Sequence, residues 1–324
     1  MHCAIDVGHG YVKALSTTGK RTLFPSWIAP IPEGPQMGRF DRQGVVTVND
    51  RAYWVGNAAR HYATSLFSHD KATDPLTLAL TWIAVDQVME TDRIVQLGVG
   101  LPLSWYGSQK DALATALTGS VTVGSQALVV EQVQVFPQAV GALVSIADFP
   151  VTGLIGLVDI GYRTVDYLIA QVNEGVPRPL PTTAGTYPGG VHVAYQAMAR
   201  TVEKDWHVHF EPHELVQRPT VTVHGQPMGL DPYRNSALQT LAEDLARHLA
   251  IYWDGVQEKL DALYLAGGGG SGFAGVLARL AGAHGIAPEP MGQCPRLSPV
   301  ALGPHPNPRP LCPSGLGRGL RGAT

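Results

Sequence analysis

Charged side chains are scarce in this chain. Asp, Glu, Lys and Arg make up 15% of its 324 residues, and the formal net charge is −3. A surface that grips nucleic acid through a general basic field needs a more positive balance, so direct nucleic-acid binding is not expected. No block of like charges supplies an electrostatic arm. Cysteine is nearly absent. Cys3, Cys294 and Cys312 include no CxxC pair and no Cys/His set at zinc spacing, and they read as reduced, incidental thiols. A Cys294–Cys312 bridge has no support, because an intracellular chain keeps such thiols reduced. Long apolar runs are also missing: the best, 139–147 and 151–160, carry glycine and fall short of the ~18 residues of a membrane span. Met1-His2-Cys3 leads straight into a strand, without the basic and then apolar regions of a secretory leader. The expectation is a soluble, cytoplasmic protein with no membrane partner.

What is present is apolar material enough for two domains, at 45% hydrophobic residues. Cys3–Val7 is a short apolar run ending in Asp6-Val7-Gly8-His9-Gly10, and Val12–Ser16 returns from it at once, which predicts a hairpin with a glycine-bearing turn. Val45–Val48 and Ala52–Val55 predict another. Asp74-Pro75 reads as a cap and first-turn proline of a helix whose apolar face carries Leu76, Leu80, Ile83 and Val88. Strands are expected at Ile94–Val99, Val121–Val123 and Leu128–Val135. Helices are expected at Ser108–Leu117 and from Phe136-Pro137-Gln138 to about Ala147. After Pro150 the pattern starts again. Leu154–Val158 ends in Asp159-Ile160-Gly161-Tyr162-Arg163-Thr164, and Val165–Ala170 returns. The strand–Asp–x–Gly–turn–strand unit thus occurs twice, about half a chain apart. Beyond it come a helix from Gly189-Gly190 through Glu203, a long helix at Asn235–Leu260 and a strand at Ala262–Ala266. That strand stops at Gly267, Gly268, Gly269 and Gly270, with a further helix over 271–283. The proline-rich stretch 287–313 reads as an irregular loop.

A glycine-rich turn between strands presents successive backbone N–H groups to an anion. An aspartate at the strand end suits anion binding once a divalent cation stands between carboxylate and phosphates, often through water. Lys13 can reach back to neutralise phosphate charge. Two such hairpins facing each other would hold a triphosphate like two jaws. The glycine run before a helix would let a nucleoside lie on backbone, with phosphate favoured at the helix start. A single Asp-x-Gly turn is ordinarily just a hairpin; the pairing is what points to phosphate.

These segments resemble the actin superfamily in the form of the bacterial and archaeal plasmid-segregation actins of the ParM/StbA type. Asp6-Val7-Gly8-His9-Gly10-Tyr11-Val12-Lys13 is similar to the first phosphate motif, Val158–Asp166 to the second, and Leu265–Gly270 to the adenosine motif. Val55-Gly56-Asn57-Ala58-Ala59, Gly100-Leu101-Pro102-Leu103 and Phe136-Pro137-Gln138-Ala139 follow the order that group uses between the phosphate motifs. Gly315–Leu320 resembles its last connecting segment. The resemblance implies an α/β, actin-like (ribonuclease H-like, duplicated) fold with two α/β domains around a nucleotide cleft. The first domain would span 1–148, with a smaller insert at about 25–70 and 314–324 returning to it. The second would span 149–313, with an insert at about 186–255.

By the same resemblance Asp6 and Asp159 would share Mg²⁺ through its hydration shell, Lys13 would contact the β/γ-phosphates, and Gln138 would orient the attacking water that Asp159 polarises. Backbone from Gly8, His9, Gly10 and Tyr11, and from Gly161, Tyr162, Arg163 and Thr164, would cradle the phosphates. Gly190, Glu203 and the four glycines Gly267–Gly270 would complete the nucleotide site. Three positions depart from the pattern. His9 replaces a small hydroxyl residue, Gln138 stands where several relatives carry Glu, and Tyr162-Arg163 replaces a further glycine. Arg163 touches phosphate or, as is usual for a hairpin arginine, faces solvent. His207, His209, Glu211 and His213 have metal-like spacing, but alternating polar residues ordinarily mark a solvated strand face. Arg200 and Lys204 lie on the same helix end as Glu203, and an exposed helix end explains them equally well. Trp105, Trp206 and Trp253 read as core or interface.

Such a fold serves filament proteins, kinases and chaperones alike. The leading expectation is an ATPase, with GTP also open, that polymerises head to tail and segregates plasmid DNA through a DNA-binding adaptor. The alternatives are a small-molecule kinase, for which no acceptor motif is seen, and a non-polymerising scaffold ATPase. Neither a peptide-binding domain nor a terminal membrane helix is expected beyond the adenosine motif.

Overall fold

The computed structural model describes residues 1–31, 44–60, 62, 70–91, 93–146, 150–216, 218–268, 273 and, for backbone only, 288–290. In the first half the chain forms β1 (His2–Val7), β2 (Tyr11–Ser16), β3 (Arg21–Pro25), β4 (Ile28–Pro30), β5 (Val45–Val48), β6 (Arg51–Val55), α1 (Pro75–Val88), β7 (Ile94–Leu101), α2 (Leu103–Leu117), β8 (Gly119–Val123), β9 (Gln126–Pro137) and α3 (Gln138–Leu143). The second half contains β10 (Thr152–Ile160), β11 (Val165–Asn173), β12 (Val176–Pro179), β13 (Gly185–Tyr187), α4 (Val191–Trp206), α5 (Pro212–Leu215), β14 (Thr220–Val223), β15 (Gln226–Gly229), α6 (Asp231–Tyr252), β16 (Ala262–Ala266) and β17 (Pro288–Pro290).

The two principal sheets repeat one topology. The first runs β3-β2-β1-β7-β9 and continues through β8, β5, β6 and β4; the second runs β12-β11-β10-β16-β17, with β13 beside β11. In each, the opening three strands form an antiparallel meander, and two parallel strands follow on the other side of the first. The sequence repeat of Asp6 and Asp159 is therefore a repeat of whole sheets. β1 and β10 are the matching strands, and each Asp stands at the end where its hairpin turns.

α1 covers the first sheet and buries more than a single stripe: Ala79, Leu80, Ile83, Ala84, Val85 and Val88 are all inaccessible, with Thr77 and Thr81 among them. The buried Thr81 hydroxyl is satisfied by the carbonyl of Thr77, which lets a polar residue sit inside. The second sheet is covered on one face by α4 and α6 and on the other by α3, whose Ala139 and Leu143 pack with Ile155, Leu157, Leu168 and Ala170. α3 follows directly from β9 of the first sheet, so it joins the halves by packing as well as by chain. A smaller cluster links α4, α5 and the β14–β15 hairpin.

Several boundaries differ from expectation. α2 starts at Leu103 rather than Ser108, because Pro102 occupies the N-cap position and the first helical N–H groups find acceptors from the other half of the chain. α3 stops at Leu143, before the expected end near Ala147. The long helix runs from Asp231 to Tyr252 instead of Asn235 to Leu260. Pro232 suits its first turn, and at its end Trp253 turns inward to donate to Thr183 O, just before Gly255 at φ 72°. Residues 288–290, expected within a loop, pair in parallel with β16. The expected helix over 271–283 (apart from buried Phe273), Gly269, Gly270, Cys294, Cys312 and the returning segment 314–324 lie outside the described residues.

The start of α1 shows sequence acting directly. Asp74 accepts from Thr77 N–H at 2.9 Å and from the Thr77 hydroxyl, with Pro75 beside it. Asp74→Ala is expected to cost about 1 kcal/mol and to lower the Tm by a few degrees, readable by thermal denaturation.

Candidate functional site

The first turn is closed by Gly8 N–H donating to Tyr11 O at 3.1 Å, and the second by Gly161 N–H donating to Thr164 O at 3.0 Å. The same bond at the same place in both hairpins makes them structural counterparts. The cross-strand partner of Asp6 is Lys13, whereas that of Asp159 is Asp166. One hairpin thus pairs an acid with a base, and the other pairs two acids.

Asp6 is held from two directions. Lys13 Nζ lies 3.4 Å from its Oδ2, and Gln138 Nε2 donates to its Oδ1 at 2.7 Å. The Asp6 charge raises the pKa of Lys13, against the lowering effect of burial, with Asp159 adding to the rise. The turn is braced from outside, because Ser26 donates its hydroxyl to Gly8 O at 2.5 Å and its N–H to Gly10 O at 3.0 Å. His9 packs edge-on against Trp105, with ring centroids 5.9 Å apart.

The second turn rests on the start of α4. Gly190 N–H donates to Arg163 O at 2.7 Å, Val191 N–H to Gly161 O at 3.2 Å and His192 N–H to Tyr162 O at 2.9 Å. These N–H groups are orphans of a helix start, and here they are spent on the turn's carbonyls. Only glycine permits this approach at 190: a Cβ there would stand 2.5 Å from Gly161 O. Gly267 is similarly placed at the end of β16, at φ 86°, and a Cβ on it would lie 2.6 Å from Asp159 Oδ1. The strand carrying Asp159 and the glycine run are therefore in direct contact.

The two turns meet. A methyl placed on Gly10 would lie 3.3 Å from Tyr162 Cβ, so the tips of the hairpins touch across the halves. Beneath them, Asp159 is half-buried, and its carboxyl is pushed up to about 7 by burial and by Asp166, with Lys13 opposing and Asp6 adding. Asp166, which is 3% exposed, is pushed up to about 6 by burial, partly offset by the hydrogen bonds it accepts from Thr186 and Leu103.

The structure thus gathers Asp6, Gly8, Gly10, Lys13, Gln138, Asp159, Gly161, Tyr162, Gly190 and Gly267 at one place. Tyr11, Arg163 and Thr164 belong to the same turns; Arg163 is half-buried, and desolvation lowers its pKa. Glu203 lies apart. It is 12 residues along α4 from Val191, about 18 Å at the helical rise, and its carboxylate meets His209 Nδ1 at 3.2 Å. His209 also approaches Glu211 at 3.4 Å, and among the described residues no cluster of three or more His, Cys, Asp or Glu is arranged to hold a metal ion. His213 instead stacks edge-on with Trp27. A groove of about 420 Å³ between α4 and α6 contains none of the expected site residues.

Two participants escaped the sequence reading. Lys71 is 4% exposed and donates from Nζ to Val7 O at 2.6 Å, near Asp6 and Asp166, whose charges oppose the depression that burial imposes on it. It stands alone in a loop before α1, with no motif to flag it, and the turn built by Asp70 holds it in place. Ser26, at the far end of β3, has no local signal either.

Two family models match successive parts of the chain: the N-terminal domain of actin-like proteins over residues 4–141, and the C-terminal domain of MreB-like archaeal actin homologues over residues 157–278. The chain belongs to the actin-like proteins. No curated protein matches it by sequence. Among solved structures this actin-like protein is similar to a non-polymerisable quadruple mutant of pCBH ParM, with a TM-score of 0.77 at 20% identity over 92% of this chain and 96% of the other. It is similar to the ParM of a 15-stranded filament from Clostridium botulinum, with a TM-score of 0.76 at 19% identity over 92% and 96%. The archaeal actin homologue Ta0583 in complex with ADP gives a TM-score of 0.69 at 20% identity over 85% and 91%. At such identity these likenesses establish the shared fold. None of the described helices is long and apolar enough to cross a membrane.

The raised pKa of Asp159 has a consequence for the ligand-free protein. Its folded pKa, about 7, exceeds the ordinary 3.8, so its ionisation costs stability as pH rises from about 4 to about 7. Asp159→Asn is expected to raise the Tm by an increment that grows across that window and is fully developed at pH 8, measured by thermal melts without nucleotide.

Proposed function

We propose that the cleft binds a magnesium nucleoside triphosphate and hydrolyses it, with ATP as the substrate and GTP open. The observation that carries this reading is the meeting of two matched Asp-x-Gly turns at Gly10 and Tyr162, with Asp6 and Asp159 beneath them. The acids suit a divalent cation: burial and mutual repulsion make the Asp159 charge costly, and a cation between the two would relieve it. Two carboxylates are too few for a cage, which suits Mg²⁺, an ion that keeps water and takes phosphate oxygens. When bound, magnesium would neutralise charge on the phosphates.

The chain's own residues then divide the work. The backbone of the turns Gly8–Tyr11 and Gly161–Thr164 cradles the phosphates, and Lys13 turns from Asp6 toward the β/γ oxygens. Gln138, already bonded to Asp6, orients the attacking water through its amide, and Asp159 polarises that water. Lys71 adds a second positive charge under the first turn. Gly267 to Gly270 receive the nucleoside. The two lobes divide near residues 148/149, each with its insert.

We further propose that the protein assembles into nucleotide-dependent filaments that serve DNA segregation through a basic adaptor. The likeness to ParM, which in one solved structure is a 15-stranded filament, supports this. So does a net charge of −3, which suits delegated rather than direct DNA contact. A small-molecule kinase or a scaffold ATPase is the alternative, told apart by its stimulus: an added hydroxyl substrate or a partner protein instead of self-assembly.

Asp159→Ala is expected to abolish phosphate release. Gln138→Ala should slow it about a hundredfold while nucleotide affinity stays within about twofold. Parental rates in both variants, followed by a coupled phosphate assay, would sink the two-jaw site. For assembly, light scattering and pelleting at micromolar protein should rise with ATP and not with ADP, and no ATP-dependent gain in particle mass removes the filament reading.

A further inference from the structure

The N-terminus of α2 is unusual in where it finds its acceptors. The N-cap residue is Pro102, whose side chain cannot accept, so the N–H groups of Leu103 and Ser104 get no side-chain cap from it. Leu103 N–H donates instead to Asp166 Oδ2 at 3.2 Å, and Ser104 N–H to Thr186 Oγ1 at 3.2 Å. The Thr186 hydroxyl completes the set by donating to Asp166 Oδ1 at 2.6 Å. Asp166 and Thr186 face each other across β11 and β13, so their side chains share one side of the sheet. The first two N–H groups of this helix of the first half are thus capped by the second, while Trp105 N–H turns back to Pro102 O at 3.0 Å. Around this polar contact, Leu103 packs with the apolar cluster that joins α3 to the second sheet. A carboxylate at a helix start also meets the positive end of the helix dipole.

We infer that Asp166 and Thr186 are positioning residues, a helix cap supplied across the cleft that sets the spacing of Asp6 and Asp159. The links on both sides of the cap are short and regular. Asp166 is the cross-strand partner of Asp159 in β10–β11. On the other side, β7 passes into α2 through Pro102 alone and pairs with β1 up to Ile5, next to Asp6. Movement of one half against the other therefore has to break the Leu103 and Ser104 bonds or distort a sheet. Neither capping residue needs to touch nucleotide for this role. Its catalytic consequence rests on the proposed nucleotide hydrolysis; the cap itself does not.

Thr186→Val removes the hydroxyl and keeps the shape, and Thr186→Ser restores the hydroxyl. In the full chain without nucleotide, amide hydrogen exchange at Leu103 and Ser104 is expected to quicken at least about tenfold in Thr186→Val, with β1 and β10 amides unchanged. Turnover should fall about tenfold at unchanged nucleotide affinity. Thr186→Ser should match the parent in all three readouts. Unchanged exchange at Leu103 and Ser104 overturns the cap, and quickened exchange with parental turnover overturns the positioning role. Should Thr186→Val fail to fold, Asp166→Ala, which removes the acceptor of Leu103 N–H, is read in the same way, with Leu103 expected to quicken ahead of Ser104. A parent chain that releases no phosphate refutes the hydrolysis reading instead, and the exchange result still decides the cap.

Discussion

The hydrogen bond from Gln138 to Asp6 ties the first Asp-x-Gly turn to the packing between the two halves. Gln138 is the first residue of α3, and the residues after it, Ala139 and Leu143, are buried against Ile155 and Leu168 of the second sheet. Asp6 stands at the end of β1 in the first sheet. The orientation of its carboxylate therefore depends on an apolar contact formed by the other half of the chain. A short helix on a close-packed sheet has little freedom to slide, so an amide at its first position is a firm support for the carboxylate.

Electrostatics set a second constraint. Asp6, Asp159 and Asp166 converge with Lys13 and Lys71, and the acids outnumber the bases. Burial alone would discharge such a cluster by raising the acid pKa values and lowering that of Lys71. Specific partners oppose that effect: Asp6 beside Lys13, Thr186 and the Leu103 N–H on Asp166, and the charges of Asp6 and Asp166 near Lys71. Where the second hairpin has Asp166 in place of a lysine, the pairing differs. The residue opposite Asp159 bonds to the start of α2 in the other half, whereas the residue opposite Asp6 pairs with Asp6 itself.

The structural neighbours share this architecture at only about one residue in five. What a fold asks of most positions is apolar character on the right face, which many side chains satisfy. The turns are less tolerant, since Gly190 and Gly267 stand where any side chain would strike backbone or the Asp159 carboxylate.

Much of this was legible in the residues alone. The hairpins of Asp6 and Asp159, the capped start of α1, the strand ending at Gly267 and the duplicated order of elements all follow from local rules: apolar alternation, turn glycine, an acid before proline. The expected phosphate-turn residues are brought together because each turn is a local structure, and the two are related by repetition. Lys71, Ser26, Asp166 and Thr186 carried no such signal. Their places depend on contacts between segments 18 to 82 residues apart, where a single lysine, serine or threonine has no pattern to distinguish it. The same distance effect moved the start of α2, because its cap comes from another part of the chain and local capping rules could not see it. Sequence determined where the two Asp-x-Gly turns form; only tertiary packing decided that they meet and what keeps them in register, because a helix cap or a buried charge finds its partner through space rather than along the chain.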